Sequence, residues 1–425
     1  MVAGWIPVRL QGGPAQIGFQ HGWLLAAEID DALQAIRLLQ THDTKRDWAF
    51  FRDAARKVMW PRVEPEYREE IAGMAEGLTA RGVKADLWDL VALNANLELA
   101  DYARWLERDR AAGKPERCSA LVATGSWTRD GRPLIAHNNW SGYLEGSRWN
   151  VIFDIRPVSG HRILMDGMPG LIHSGDDFGM NDAGIAITET TISRFHGFDP
   201  AGVPEFVRAR KAMQYAESVD DVDRIMRAGN NGGYANTWLV ADTRRNEIAR
   251  LELGLLHVTL ERSSDGYFAG ANFPIDPKLT AEETDFPADD PCQSACARRT
   301  RWQQVLPPLR GRLDVAAAKR LLADHTDAWA GKADSPDEHT LCGHVDLSPR
   351  GMKPWQDEYG PAGTVQAKVA DAAMVARMEL EAAMGHPCGL DFRAAEHLAR
   401  HPQFAWEQPL LRDLPSHPWT LFNGP

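Results

Sequence analysis

Cys118 heads the segment Cys118-Ser119-Ala120-Leu121-Val122, just past the polar, breaker-rich run from Ala111 to Arg117. A thiol in that place has a distinctive chemistry. If the Arg117–Cys118 bond breaks, Cys118 becomes an N-terminus. Its α-amino group, with an ordinary pKa of about 8, then sits beside the sulfur as a base. That is covalent catalysis by a nucleophile that activates itself. The competing reading is a buried structural cysteine, the usual fate of a free thiol. His137 and Asn236 are the other candidates for chemistry. His137 falls on the strand expected beside Cys118, where it could orient or tune the thiolate; otherwise it is a core histidine with a satisfied hydrogen bond. Asn236 opens an expected strand, and its amide could donate to the oxyanion of a tetrahedral intermediate. The alternative there is an Asx turn.

Trp140, Tyr143, Asp176 and Asp177 are candidate substrate-binding residues. Trp140 and Tyr143 read as pocket wall or core rather than as reacting groups. Adjacent aspartates in an extended segment point to opposite faces, so at most one of Asp176 and Asp177 enters the site. A separate group, His325, Asp327, His339, Cys342 and His344, could ligate a metal. Zinc needs three or four such groups to converge, and the spacing matches no zinc signature. A metallohydrolase using His325, Asp327, His339 and His344 therefore stays as an alternative only.

Elements must position these residues. From Trp23 through Leu39, from Trp48 to Gly82 and from Ala85 to Arg108 the apolar spacing predicts helices, so residues 1 to about 110 read as largely helical. From Cys118 the period shifts to two. Thr128-Arg129-Asp130-Gly131-Arg132 predicts a hairpin turn between Cys118–Val122 and Pro133–Asn139. Strands are expected at 149–155, 161–165, 184–191, 237–241, 248–253, 339–346 and 363–369, and helices at 204–217, from Ser218, at 293–305 and at 314–323. Cys292 and Cys296 read as neighbours on one helical turn. Ser218 with Asp221 resembles a capping box. Strands, then paired helices, then strands suit two packed sheets flanked by helices. The tail after His386 is expected to wrap the surface.

Composition narrows the function classes. The chain has 425 residues and a formal charge of −12, from 59 acidic against 47 basic residues. That balance argues against nucleic acid as a partner and against adsorption to anionic lipid. No apolar run long enough to span a membrane occurs, and the first ten residues show no secretory pattern. A cytoplasmic location is therefore expected, with no stable membrane insertion. Five cysteines in a chain this long do not make a disulfide scaffold.

Four ordered segments carry a family resemblance: Cys118-Ser119-Ala120-Leu121; His137-Asn138-Asn139-Trp140; Pro169-Gly170 through Asp176-Asp177-Phe178 to Glu189-Thr190-Thr191; and Asn236-Thr237-Trp238. Asp346-Leu347-Ser348-Pro349 and Ala367-Lys368-Val369 follow in order, and Gly13 to Gly22 adds an N-terminal signature. The chain resembles the phospholipase B-like family and the related penicillin acyltransferase-like, autoproteolytic N-terminal-nucleophile hydrolases. It departs in one motif position, where Ala136 replaces a serine before His137.

The resemblance implies an α+β fold, a four-layer αββα sandwich of two antiparallel sheets with a helical N-terminal propeptide segment. It implies self-cleavage between Arg117 and Cys118 into fragments 1–117 and 118–425. It also implies hydrolysis of an acyl amide or ester through a thioester on Cys118, with an asparagine at the position of Asn236 in the site. No metal or organic cofactor is expected. The expected partner is a small acyl substrate, and a homo-oligomer stays open. An acyltransferase or an uncleaved binding protein on the same fold are the alternatives.

Overall fold

A computed structural model describes residues 1–107, 118–175, 177–353 and 355–424. Arg117 and Asp176 lie outside the described residues. The chain begins with β1 (Ile6–Gly12), followed by α1 (Pro14–Leu24), α2 (Ala26–Thr44), α3 (Trp48–Ala54), α4 (Pro65–Ala80), α5 (Leu87–Asn94) and α6 (Asn96–Glu107). Next come β2 (Ser119–Thr124), β3 (Leu134–Gly142), the single turn α7 (Tyr143–Gly146), β4 (Val151–Pro157), β5 (Ile163–Gly167), β6 (Gly179–Asn181) and β7 (Ile185–Thr191). Helices α8 (Glu205–Tyr215) and α9 (Val219–Arg227) precede β8 (Asn236–Asp242), β9 (Glu247–Leu253), β10 (Val258–Ser263) and β11 (Gly266–Gly270). The last third holds α10 (Pro277–Glu283), α11 (Ser294–Val305), α12 (Val315–Leu322), β12 (Ala362–Asp371), α13 (Ala372–Arg377), β13 (Leu380–Met384), α14 (Ala394–Arg400) and β14 (Thr420–Phe422).

The strands form two sheets, one of eight in the order β1-β4-β5-β6-β7-β8-β9-β10 and one of six in the order β11-β2-β3-β12-β13-β14. The expected hairpin is present, with Ser119 opposite Asn138 and Ala123 opposite Leu134. Alternation along each strand builds the layers. On β4, Ile152 faces the space between the sheets with Ala120, Val122, Ile135 and Leu239. Its neighbours Val151 and Phe153 face helices with Ile29, Met74, Leu90 and Phe206. On β2, Leu121 and Ala123 turn the other way, onto Trp302, Ala318 and Leu322 of α11 and α12. Helix, sheet, sheet, helix is the expected αββα sandwich. One detail differs: β1 joins β4 in parallel at the edge of the larger sheet.

The N-terminal segment is built into this frame. Gly18 and Gly22 of α1 face Gly73 and Gly77 of α4 at backbone contact. A Cβ on Gly18 would lie 1.8 Å from the Glu70 carbonyl oxygen, and one on Gly77 would lie 2.4 Å from that of Phe19. The i, i+4 spacing puts each pair on one helix face. His21 Nε2 accepts from the Gly170 N–H at 2.9 Å. Burial, with Arg210 adding to it, lowers its pKa to about 3, so the ring stays neutral and can accept.

Several sequence expectations are corrected. Residues 339–346 form a loop ending in a 3-10 turn, with a single bridge between His344 and Gly363, rather than a strand. The helix expected over Ala85 to Arg108 is two helices broken at Ala95. There Asn94 donates to the Gly170 carbonyl at 2.8 Å and Asn96 to that of Leu93 at 2.7 Å. Cys292 precedes α11, so only Cys296 lies on the helix. Ser218 does cap α9, accepting from the Asp221 N–H. The tail adds β14 to the smaller sheet. Among the described residues no helix is long and apolar enough to cross a membrane.

The tail also buries Glu407, whose pKa is pushed up to about 9 by burial, with Glu145 and Asp43 adding to it. In the unfolded chain this carboxyl ionises near pH 4.3. Stability is therefore lost as pH rises through that value toward 9, because the unfolded state releases a proton that the folded state keeps. Glu407→Gln is expected to raise the melting temperature at pH 8 and leave it little changed at pH 4, measured by calorimetry.

Candidate active site

Cys118 sits immediately before β2 with φ 84, a backbone conformation that side chains rarely adopt. It is fully buried. Its carbonyl oxygen accepts from Arg298 Nη1 at 2.5 Å. Arg298 comes from α11 and is itself held on several sides. It donates to Asn272 Oδ1 at 2.8 Å and Ser294 Oγ at 2.9 Å, and its guanidinium lies 4.3 Å from the centre of the Trp140 ring. A buried cation shared among these groups fixes the main chain at the nucleophile candidate.

The sulfur faces polar groups. Cys118 Sγ is 3.7 Å from Glu189 Oε1 and 3.9 Å from Asn139 Oδ1. Chemistry-bearing atoms of Cys118, His137 and Glu189 all lie within 4.8 Å of one another. His137 and Asn139 share one face of β3 because strand residues alternate. His137 stands opposite Ala120 on β2 and Lys368 on β12. Lys368 Nζ pairs with Asp166 Oδ2 at 2.9 Å, with both side chains wholly buried, so an ion pair joins the two sheets beside His137. Gln366 and Ser174 also donate to that carboxylate, at 2.6 and 3.0 Å. The extra donors are what make a buried charge pair tolerable.

Glu189 accepts from Tyr234 Oη at 3.1 Å. Tyr234 has φ 44, and its N–H donates to Asp101 Oδ2 of α6 at 2.9 Å. The N-terminal segment thus positions a residue of the candidate site. Asn236, two residues on, is the first residue of β8 and pairs with Thr191, while Trp238 pairs with Glu189. Paired residues share a face, so Asn236 and Glu189 are diagonal neighbours on one face. Asn236 is fully buried, and among the described residues neither its Nδ2 nor its Oδ1 has a hydrogen-bond partner. A buried amide of that kind calls for an explanation.

The structure therefore groups two of the expected residues, Cys118 and His137, and places Asn236 one strand from Glu189. Glu189, Asn139, Tyr234 and Arg298 gained no role from the sequence. Asn139 and Glu189 lie within motifs that carried the resemblance, whereas Arg298 lies 180 residues from Cys118, beyond any local pattern. Trp140 points with Asn138 toward the outer helical layer, stacked on Arg298. Tyr143 donates to Asp346 Oδ1 at 2.8 Å. Asp177 is buried with His173 and Glu205 in a group of its own. The metallohydrolase set is corrected. His325 and His344 come together with Cys342 and Cys388, whereas Asp327 and His339 join Asp337. The four residues do not converge on one ion.

Residues 59–274 match the family model named Phospholipase B. The chain is 26% identical over 203 residues to putative phospholipase B-like 2 of Caenorhabditis elegans, covering 44% of this chain and 34% of that protein. It is 25% identical over 260 residues to the 40 kDa form of acyl-coenzyme A:6-aminopenicillanic-acid-acyltransferase of Emericella nidulans, covering 58% and 62%. It is 30% identical over 141 residues to putative phospholipase B-like 2 of Rattus norvegicus, covering 29% and 24%. These matches span less than two thirds of each relative. A mutant of the conjugated bile acid hydrolase of Clostridium perfringens aligns in space at 12% identity and a TM-score of 0.32, over 62% of this chain and 88% of that one. Just over half of the chain lies within the matched family model, and the protein belongs to the phospholipase B family.

Proposed function

We propose that the chain is a self-processing cysteine hydrolase that cleaves an acyl amide or ester through a thioester on Cys118. The observation that carries this reading is the buried thiol at φ 84, heading β2 with Glu189 and His137 around its sulfur. In the uncleaved chain the nitrogen of Cys118 is still an amide, so the first base must be another group. Glu189, 3.7 Å from Sγ, takes the thiol proton, and His137 supports the thiolate. The sulfur attacks the Arg117 carbonyl carbon. The C–N bond breaks, the nitrogen gains a proton, and the Arg117 acyl group now sits on sulfur as a thioester. Water hydrolyses that thioester. The fragments are 1–117, ending in a carboxylate, and 118–425, beginning with a free α-amine.

Turnover repeats the same chemistry on substrate. The α-amine takes the thiol proton, the thiolate attacks the acyl carbonyl, and the proton passes to the leaving amine or alcohol. Asn236 Nδ2 donates to the oxyanion. Water then releases the acid. An amine in place of water would complete an acyl transfer, a second reading that rests on the acyltransferase relative. The family name supports an acyl ester of phospholipid type as substrate, and small acyl amides are the other class.

Intact mass of the denatured wild-type protein tests the processing step. Two fragments split at Arg117–Cys118 are expected. A single 47.2 kDa chain that turns over acyl substrates would overturn the mechanism.

A further inference from the structure

We infer that His325, Cys342, His344 and Cys388 form a closed, structural zinc site remote in role from the chemistry of Cys118. One ligand-capable atom of each residue lies within 4.8 Å of the others. Two thiols and two imidazoles are the donor set that zinc favours. The spacing fits as well. Cys388 Sγ is 3.5 Å from His344 Nε2. A tetrahedral ion with ordinary Zn–S and Zn–N bonds holds such a pair about 3.6 Å apart.

The orientation of both rings supports the assignment. His325 Nδ1 lies 3.3 Å from Asp334 Oδ1, and its buried Nε2 has no partner among the described residues. His344 directs Nε2 at Cys388 and Nδ1 toward Asp346 Oδ1, at 4.0 Å. A carboxylate behind the outer ring nitrogen is how proteins fix the tautomer of a metal-bound histidine. Four protein ligands leave no open position for water or substrate, so the ion holds structure rather than performing hydrolysis.

Three distant segments would be tied together: the stretch after α12, the 342–344 loop and the tail beyond β13. Within that loop Gly343 lies flat on Trp140, where a Cβ would come within 2.1 Å of the ring. Trp140 in turn stacks on the arginine that holds the Cys118 carbonyl. The ion thus braces the outer wall behind the nucleophile.

The test is elemental analysis of untagged full-length protein purified without chelator. About one zinc per chain is expected. Cobalt added to the chelator-stripped protein should give the charge-transfer bands of two thiolate ligands. Cys342 is fully buried, so Cys388→Ser, at a partly exposed position, is the informative variant. It should weaken zinc retention at least tenfold while far-ultraviolet circular dichroism stays unchanged. Less than about a tenth of an equivalent of any metal in the wild type overturns the site, whatever the variant does. So does a Cys342–Cys388 disulfide in freshly purified protein, or thiolate bands of undiminished intensity in Cys388→Ser.

Discussion

Cys118→Ala is expected to leave one 47.2 kDa chain where the wild type gives two fragments, and to lower acyl-substrate turnover by roughly 10³- to 10⁶-fold. The two losses have one cause. In the proposed mechanism self-cleavage and turnover both pass through an acyl group on the same sulfur, so nothing in the alanine variant would accept it. Neighbouring groups offer no substitute, because the roles proposed for Glu189 and His137 are on the thiol proton rather than on the acyl carbon. Circular dichroism should be unchanged, since alanine fits the space a cysteine leaves. Cys118→Ser separates the steps: serine supports the same shift more slowly, so cleavage is delayed rather than abolished. Turnover by an uncleaved alanine variant at wild-type rate would sink both steps together.

Asn236→Ala is expected to reduce kcat by about 10²- to 10³-fold, the usual cost of one oxyanion donor, about 3–4 kcal/mol. KM should move little, because the hydrogen bond strengthens only as charge develops on oxygen. The melting temperature should hold or rise. Both polar atoms of this buried amide lack partners among the described residues, so its removal deletes a desolvation penalty rather than a bond. Lost activity with retained stability is a signature that a structural asparagine would not give. A lower melting temperature with kcat intact would assign Asn236 to strand architecture instead.

The layers were legible in the sequence because alternation is local. Ile152 and Phe153 separate into different cores by strand geometry alone, and Asp130-Gly131 announces the hairpin that carries Cys118 and His137. The misreadings arise where tertiary contacts overrule local pattern. Ala85 to Arg108 has continuous helical spacing, yet Asn94 spends its amide on the Gly170 loop and the helix breaks. His339, Leu341 and Gly343 alternate as a strand would, but the Cys342 and His344 N–H groups donate to the Asp324 and Asp337 carbonyls of neighbouring loops instead of to a strand partner. Glu189 reads as one more residue of a buried strand. Its partner sulfur lies 71 residues away, and no window of sequence contains both. Cys388 escaped the metal-capable group for the same reason, standing 44 residues from His344.

The docking of the first hundred residues decides what kind of object the proposed cleavage would leave. β1 is a strand of the larger sheet, α1 is pressed on α4 at backbone contact, and Asp101 holds Tyr234. A cut before Cys118 removes one covalent bond and none of these contacts, so the small fragment stays. Unfolding then becomes dissociation. A single chain refolds at a rate independent of concentration, whereas two separated fragments must first find each other, and their recovery becomes second order. Renatured mature protein should regain activity more slowly the more it is diluted, and the uncut alanine variant should regain its fold at a rate independent of dilution. Under the proposed processing, the molecule would fold once as one body, and every later attempt would be an assembly reaction.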